Sequence, residues 1–237
     1  MKIDILTLFP EAFEYMSSYG IIAKALEKKI LEISTKNIRD FTKNKHKKVD
    51  DEVFGGASGM LMTCQPIVDT IKSVKKENSK VIFLSPQGRV LNQKLTKELS
   101  LEEHLILLCG HYEGIDARIT NHYVDMEVSI GDYVLTGGEI PAMVLIDAVS
   151  RMIPGVLGNS ESYETDSHYN LLLQNDEYTR PRKFEGFEVP EVLFSGDHKK
   201  IKEWKLENSI ENTKKKRPDI YEKYLRFGGS NGNNQKV

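Results

Sequence analysis

The amino-acid sequence predicts an α/β fold in which helices flank a parallel sheet. Through about residue 155, short apolar runs of strand length alternate with stretches that carry apolar residues at helical spacing. The run His104–Cys109 is the most apolar of these strand patterns. Three strand patterns end in loops rich in glycine or proline, and the carboxyl edge of a parallel sheet is where such proteins bind ligands. The fold class therefore indicates a ligand site at that edge.

Local patterns place the individual elements. Residues 2–8 form an apolar run that stops at Pro10, where proline stands in a first helical turn beside Glu11. Residues 31–37 alternate like a strand, and residues 80–84 form a buried strand that ends at the turn 85–88. The predicted strands are 2–8, 31–37, 80–84, 104–109 and 124–128, and the predicted helices are one starting at Pro10, 66–74, 92–99, a stretch from Gly114 into Asn121, and 139–153.

The second half of the chain differs from the first. Residues 158–182 are polar but contain tyrosines and leucines, which is typical of a linker that can become ordered. A functional segment and a disordered connection are both open interpretations of this stretch. Helical patterns follow at 199–210 and 219–227, and the polar tail 228–237 is expected to be disordered. We interpret this half as a small helical second domain.

Charge and composition limit the function classes. The formal net charge of −2 argues against a protein that coats nucleic acid, but its distribution is uneven. Through Asp166, 19 Lys and Arg residues oppose 24 Asp and Glu residues, whereas 14 oppose 11 after it. Basic runs occur at 43–48, 198–205 and 214–217. One such run is typical of a solvated surface, whereas three favour contacts with phosphates.

The N-terminus and the cysteines exclude further classes. The first ten residues hold a six-residue apolar run, which is neither a signal peptide nor a membrane span. We therefore expect a cytoplasmic location and no membrane contact. Cys64 and Cys109, the only cysteines, lie in no zinc or redox motif, and we expect buried, reduced thiols.

The segment 129–141, Ser-Ile-Gly-Asp-Tyr-Val-Leu-Thr-Gly-Gly-Glu-Ile-Pro, is the most informative of the chain. Glycine in an ordered segment indicates either a backbone angle φ above zero or a close approach to the main chain. Together with the loops 84–88 and 110–114, this segment supplies three candidate binding loops. The chain contains neither the P-loop pattern nor G-x-G-x-x-G. We therefore expect an adenosine-type ligand without a phosphate chain, held by backbone groups and apolar side chains.

Longer motifs resemble a known family, and they extend in order over nearly the whole chain. By these motifs the chain is similar to the bacterial tRNA (guanine-N1)-methyltransferases of the trefoil-knotted SPOUT class. The motifs are Leu8-Phe9-Pro10, Arg39-Asp40-Phe41, Val49-Asp50-Asp51, Gly59-Met60-Leu61-Met62, Leu84-Ser85-Pro86-Gln87-Gly88, Tyr112-Glu113-Gly114-Ile115-Asp116, the segment 129–141, the segment 153–158, and Tyr178-Thr179-Arg180-Pro181.

The resemblance implies a fold and a function. Residues 1–157 would be a cofactor-binding domain with a C-terminal trefoil knot, an exception to the rule that chains are not threaded. Residues 158–177 would be a flexible linker, and residues 178–237 a small all-α tRNA-binding domain with a disordered tail. The implied reaction is methylation of N1 of the guanosine at tRNA position 37, 3′ of the anticodon, by S-adenosylmethionine.

By the family pattern, sixteen residues of the three loops would line the cofactor pocket. Their backbone groups would satisfy the adenine edge, and the glycines would let the main chain come within hydrogen-bond distance. They are Phe83, Leu84, Pro86, Gly110, Tyr112, Glu113, Gly114, Ile130, Gly131, Asp132, Tyr133, Val134, Leu135, Gly137, Gly138 and Pro141.

The chemistry demands a base, because guanine N1 carries a proton at neutral pH. By the resemblance Asp166 is this general base, and its alternative interpretation is a solvated loop acid or a helix N-cap. Arg151 corresponds to the family's catalytic arginine, which would stabilise negative charge on guanine O6. Its alternative interpretation is an arginine favoured at a helix C-terminus by the helix dipole.

The resemblance also bears on metal and partners. If Mg²⁺ assists, Glu113 and Asp166 are the candidate ligands, and Asp176 is a candidate third ligand because the usual acidic position is Gln174 here. His111 stands where many relatives carry arginine. The family implies a homodimer with shared active sites and a tRNA substrate. The alternatives are a SPOUT methyltransferase with an rRNA or ribose target, and a non-catalytic RNA-binding knot protein.

Overall fold

The computed structural model describes residues 1–56, 58–157 and 166–227. The chain divides into two compact units, Met1–Ser160 and Glu161–Val237. The predicted tail, the residue Ala57 and the first part of the predicted linker, residues 158–165, lie outside the described residues.

The first unit alternates strands and helices, as the sequence predicts. Two elements were not predicted separately, the second N-terminal helix and a short hairpin. In chain order the elements are β1 (Lys2–Thr7), α1 (Glu14–Ser18), α2 (Gly20–Glu27), β2 (Glu32–Asn37), β3 (Asp50–Glu52), β4 (Met60–Met62), α3 (Cys64–Val74), β5 (Ser79–Val90), α4 (Gln93–Ser100), β6 (His104–Cys109), α5 (Ala117–Tyr123), β7 (Met126–Ser129) and α6 (Glu139–Ser150), with 3₁₀ turns at Pro10–Phe13 and Ile38–Phe41.

The central sheet of the described residues has the strand order β2-β1-β6-β5-β7. All four neighbouring pairs are parallel, which confirms the predicted α/β class with a parallel sheet. β6 lies in the centre, and this position explains why His104–Cys109 is so apolar: all six of its residues are buried. β5, β6 and β7 are neighbours, so their carboxyl ends meet at one edge.

Helices cover both faces of this sheet. Leu105 and Leu107 belong to one hydrophobic core with α2, α4 and α6, whereas Ile106 and Leu108 belong to a second core with α3 and α5. This division follows from the alternation of side chains along a strand. The sheet is thereby buried between two apolar layers, and only its edges and loops are left to bind ligands.

β5 differs from the prediction. We expected a strand at 80–84 followed by a turn, but the strand extends over Ser79–Val90. Both Leu84 and Arg89 pair with Val128 of β7, so the residues between them bulge out and the pairing then resumes. At Gly88 a Cβ atom would lie 2.4 Å from the backbone of Val128, which leaves room only for glycine where the strand returns. The sequence signals of a turn therefore mark an interruption within a strand.

The second unit is described from Asp166 onward. It contains the antiparallel pair β8 (Lys183–Phe184) and β9 (Phe187–Glu188), a 3₁₀ turn at Glu191–Phe194, and the helices α7 (His198–Lys216) and α8 (Pro218–Phe227). The short strand pair was not expected in an all-helical domain. α7 begins at His198, one residue before the predicted start, where the Asp197 side chain caps the first turn by accepting from the backbone N–H groups of Lys199 and Lys200. It continues to Lys216, six residues beyond the predicted end.

Within the described ranges, no helix is both long enough and apolar enough to cross a membrane.

Candidate active site

The loops after β5, β6 and β7 enclose a cavity of about 210 Å³ at the carboxyl edge of the sheet. Its walls are mainly apolar and aromatic, with few charged groups. The lining residues are Phe83, Leu84, Ser85, Pro86, Gly110, His111, Tyr112, Glu113, Gly114, Val128, Ser129, Ile130, Gly131, Tyr133, Val134, Leu135, Thr136, Gly137, Gly138 and Pro141.

The structure brings all but one of the sixteen expected pocket residues to this single cavity. Asp132 is the exception and does not line it. Five lining residues were missed, namely Ser85, His111, Val128, Ser129 and Thr136. Four of them lie next to an expected residue in the same three loops, so the loop boundaries indicated them, whereas Val128 lies in β7, outside these loops.

Two different reasons account for the glycines of the pocket. Gly114 has a φ of +116° and open space around its Cα, so its backbone angle requires glycine. Gly138 has an ordinary φ of −83°. A Cβ atom there would lie 2.6 Å from the Cα atom of Cys109, and its N–H donates to the carbonyl of Gly110 at 3.0 Å. Gly138 is therefore required because the backbone of Cys109 and Gly110 packs against it, at the place where the second and third pocket loops meet.

A buried carboxylate lies at the same place. Glu139 is only 8% exposed, and its two oxygens have different partners. The Thr7 hydroxyl donates to Oε1 at 2.6 Å, and Nε2 of His111 lies 2.8 Å from Oε2. The ring of Phe9 meets the His111 ring edge-on, with centroids 4.9 Å apart. Glu139 was not among the predicted site residues, although a charged residue at the start of an apolar helix was a visible signal.

The outer part of the third loop presents backbone donors. Among the described residues, the N–H groups of Val134, Leu135, Thr136 and Gly137 donate no hydrogen bond to the protein. Val134 is 82% exposed at the mouth of the cavity. The N–H groups of this loop are therefore available as hydrogen-bond donors to a ligand, beside apolar side chains.

The hairpin of β3 and β4 supports the second pocket loop. The N–H of Glu113 donates to the carbonyl of Met60 at 2.9 Å, and the N–H of Met62 donates to the carbonyl of Gly114 at 3.0 Å. The Glu113 side chain lies against Gly59, where a Cβ atom would stand 2.5 Å from Cγ of Glu113. Glu113 is thus held at the cavity wall by a neighbouring element.

Arg151 does not line the cavity. It follows the last turn of α6, whose first turn forms the cavity wall at Gly138. With a rise of 1.5 Å per residue, the backbone of Arg151 lies about 20 Å from Gly138. This separation exceeds the reach of an arginine side chain.

Asp166 belongs to the second unit, where it is half-buried, and its backbone carbonyl accepts from the N–H of Tyr169 at 3.3 Å. In the same unit, the Asp176 carboxylate accepts from Asn212 Nδ2 at 3.0 Å and from Asn208 Nδ2 at 3.3 Å. These hydrogen bonds, with the nearby Lys216, hold the pKa of Asp176 below its usual value. Asp176 therefore anchors α7 to the chain that precedes it.

No group of three or more His, Cys, Asp or Glu side chains suited to a metal ion occurs in the described part of the chain. Glu113 and Asp166 lie in different units, and Asp176 is occupied by its amide partners.

A second cavity, of about 440 Å³, lies between α3 and α5 and is lined in part by Cys64, Arg118 and Tyr123. Next to it, Arg118 holds Asp116 with two hydrogen bonds, Nε to Oδ1 at 2.9 Å and Nη2 to Oδ2 at 2.7 Å. This fork keeps the pKa of Asp116 well below its usual range. Because the arginine of this second cavity is already paired with Asp116 and none of the sixteen expected pocket residues lines it, the first cavity is the stronger candidate site.

Known proteins resemble this chain over nearly its whole length. The family model described as tRNA (Guanine-1)-methyltransferase TrmD matches residues 1–223 of the chain. A protein of Finegoldia magna named tRNA (guanine-N(1)-)-methyltransferase is 64% identical over 232 residues, which cover 98% of this chain and 100% of that protein. Proteins of the same name from Ruminiclostridium cellulolyticum and Clostridioides difficile are 54% and 56% identical, and each match covers 94% of this chain and 97% and 98% of the relative, respectively.

Proposed function

Because the chain belongs to the tRNA (guanine-1)-methyltransferase family, we propose that it methylates N1 of the guanosine at tRNA position 37, 3′ of the anticodon, with S-adenosylmethionine as methyl donor. The observation that carries this proposal is the cavity itself. Fifteen residues expected to bind the cofactor line one cavity at the carboxyl edge of three neighbouring strands.

The residues of the cavity fit the cofactor. Apolar side chains such as Leu84, Ile130 and Leu135 suit the faces of the adenine ring, and the N–H groups of residues 134–137 suit its polar edge. When bound, S-adenosylmethionine supplies an electrophilic methyl group on a sulfonium sulfur. The protein's task is to hold this group still and to prepare the guanine nitrogen that receives it.

Asp166 is proposed as the general base. Guanine N1 has no free lone pair until its proton leaves, and the Asp166 carboxylate would accept that proton as N1 becomes the nucleophile. Arg151 is proposed to stabilise the negative charge that the guanine then carries on O6. A positioned base contributes roughly 10²–10⁴-fold in rate, so loss of either group should slow methyl transfer far more than it weakens cofactor binding.

We further propose a homodimer with shared active sites. Within one protomer Arg151 lies about 15 Å along α6 from Pro141 and about 20 Å from Gly138, beyond the reach of its side chain, so we propose that Arg151 does not serve its own cavity. A second copy related by two-fold symmetry would solve this problem. The family match supports the further proposal that the three loops form a trefoil knot in the domain 1–157.

The remaining chain is proposed to serve tRNA binding. In this proposal residues 158–177 link the domains, and residues 178–237 bind the tRNA backbone. The support is electrostatic, because α7 exposes Lys199, Lys200 and Lys202 in its first turns and ends in Lys214, Lys215 and Lys216. Mg²⁺ stays a proposed addition to this site, with Glu113 and Asp166 as its candidate ligands.

The deciding experiment measures methyl transfer from labelled S-adenosylmethionine to a tRNA transcript with guanosine at position 37. The controls are the same transcript with adenosine there and the Asp166→Asn protein. Label that requires both guanosine 37 and Asp166 supports the proposal. Label on both transcripts would indicate another RNA target, and cofactor binding without any transfer would indicate a non-catalytic RNA-binding protein.

Shared sites are tested by mixing two inactive variants. Arg151→Ala leaves the cavity intact, and Leu135→Arg obstructs it while leaving Arg151 in place. If Arg151 acts in the partner's cavity, an equal mixture should regain about a quarter of wild-type activity, because half of the dimers are mixed and each keeps one complete site. No recovery in a mixture shown to contain heterodimers would refute shared sites.

A further inference from the structure

We propose that Glu139 is a positioning residue: through its hydrogen bond to His111 it fixes the position of this cavity-lining side chain. We further propose that this hydrogen bond determines the affinity of the cavity for S-adenosylmethionine. The inference rests on the proposed function for the identity of the cofactor. It concerns the three segments that meet at Glu139, which are the end of β1 at Thr7, the loop after β6 at His111, and the first turn of α6.

The hydrogen bonds at Glu139 have a fixed direction. The backbone N–H of Phe9 can only donate, and it donates to the Thr7 hydroxyl oxygen at 2.9 Å. The Thr7 hydroxyl in turn donates a hydrogen bond to Oε1 of Glu139. The second carboxylate oxygen then accepts from His111, so the imidazole carries a proton on Nε2.

This arrangement holds the ring of a cavity residue in one orientation. His111 lines the cavity, and its ring is fixed by Glu139 on one side and by the edge-on ring of Phe9 on another. Gly137 lies against the same ring, because a Cβ atom there would stand 2.3 Å from its Cε1 atom. The position of the third loop therefore depends on where the imidazole lies.

Burying a carboxylate costs free energy unless its oxygens are hydrogen-bonded. Both carboxylate oxygens of Glu139 have a partner, Thr7 at Oε1 and His111 at Oε2. The neighbouring bond from Gly138 N–H to Gly110 carbonyl joins the same two loops through the backbone. The Glu139–His111 hydrogen bond therefore joins these two loops at the cavity wall, next to the backbone hydrogen bond between Gly138 and Gly110.

The test uses calorimetric titration of S-adenosylmethionine and thermal unfolding without ligand. His111→Ala removes the donor and leaves the buried carboxylate unsatisfied on one side, and we expect the Kd for S-adenosylmethionine to rise at least tenfold. His111→Gln retains an N–H donor in this place and should recover most of the affinity. Glu139→Ala should weaken binding as much as His111→Ala, and the double variant should be no weaker than Glu139→Ala alone.

The matched control is Lys80→Ala. Lys80 forms a partly buried ion pair with Glu102 at 2.6 Å, and neither residue lines the cavity. This control should change thermal stability without changing the Kd. If His111→Ala behaves like Lys80→Ala, with lowered stability and an unchanged Kd, the hydrogen bond is structural only and the inference is wrong. If the wild-type protein does not bind S-adenosylmethionine, the proposed function fails instead.

Discussion

Replacing Gly138 by alanine separates the two physical reasons for glycine in the pocket. With φ at −83° and ψ at −6°, the backbone at this position is ordinary for any residue. If backbone freedom were the only consideration, Gly138→Ala would stabilise the protein by about 0.4–1 kcal/mol, since alanine has fewer unfolded conformations. The close approach predicts the opposite sign. The new Cβ atom would stand 2.6 Å from Cys109 Cα and 3.0 Å from Gly110 N.

The atoms in the way belong to the backbone at the end of the central strand β6, where Cys109 is fully buried. They cannot move aside as a flexible side chain would, so overpacking should cost about 1–3 kcal/mol. For a unit of this size a net loss of about 2 kcal/mol lowers Tm by about 4–8 °C. The displaced loop should also lose its bond to Gly110 and weaken S-adenosylmethionine binding.

The assay is thermal unfolding followed by circular dichroism, with Gly114→Ala as the comparison. Gly114 has open space for a Cβ atom but a φ of +116°, so its replacement should cost about 1–2 kcal/mol through backbone strain alone. A Tm for Gly138→Ala that equals or exceeds that of the wild type would refute the close-approach reasoning.

Three further predictions follow from individual contacts. The two hydrogen bonds from Arg118 lower the folded-state pKa of Asp116, so the pair stabilises the protein at neutral pH. This stabilisation is lost as the pH falls below about 4. Asp116→Asn should therefore lower Tm at pH 7 and make Tm depend less on pH in the acid range. Cys109 is fully buried as expected, whereas Cys64, also expected to be buried, is partly exposed, so a thiol reagent should label Cys64 in the native protein and Cys109 only after unfolding. Asp176→Ala leaves Asn212 and Asn208 without their acceptor, and it should destabilise the second unit by about 1–3 kcal/mol, measured by chemical denaturation, while the Kd for S-adenosylmethionine stays unchanged.

Periodicity in the sequence was sufficient for the fold class and for the central strand. The unbroken apolar run His104–Cys109 has one physical explanation, burial on both faces, and β6 lies in the middle of the sheet. Local pattern was insufficient at β5, where the turn residues after Leu84 interrupt a strand that resumes at Arg89. Whether a strand resumes depends on a partner far along the chain, here Val128, and local propensity carries no such information.

The candidate site was predictable to a similar degree. Loop composition and family resemblance led to fifteen lining residues, because glycine-rich loops after strands have a known place in a parallel sheet. Glu139 and Thr7 were missed because their meeting joins residues 132 positions apart. The resemblance also predicted that Arg151 and the pocket residues take part in the same reaction. The length of α6 shows that about 20 Å of helix separates Arg151 from Gly138 at the pocket.

That separation has a consequence for how the proposed enzyme must work. The helix α6 has a fixed length, with the cavity wall at its first turn and Arg151 after its last turn. Its buried face packs in the core through Leu145, Ile146 and Val149. Local rearrangement cannot shorten a packed helix, so binding of the cofactor cannot draw Arg151 of the same protomer into the cavity. If Arg151 acts on guanine, cofactor binding and charge stabilisation belong to different protomers. Variants of Arg151 should then leave the Kd for S-adenosylmethionine unchanged and reduce only methyl transfer, whereas dissociating the dimer should abolish transfer with the cavity still able to bind its cofactor.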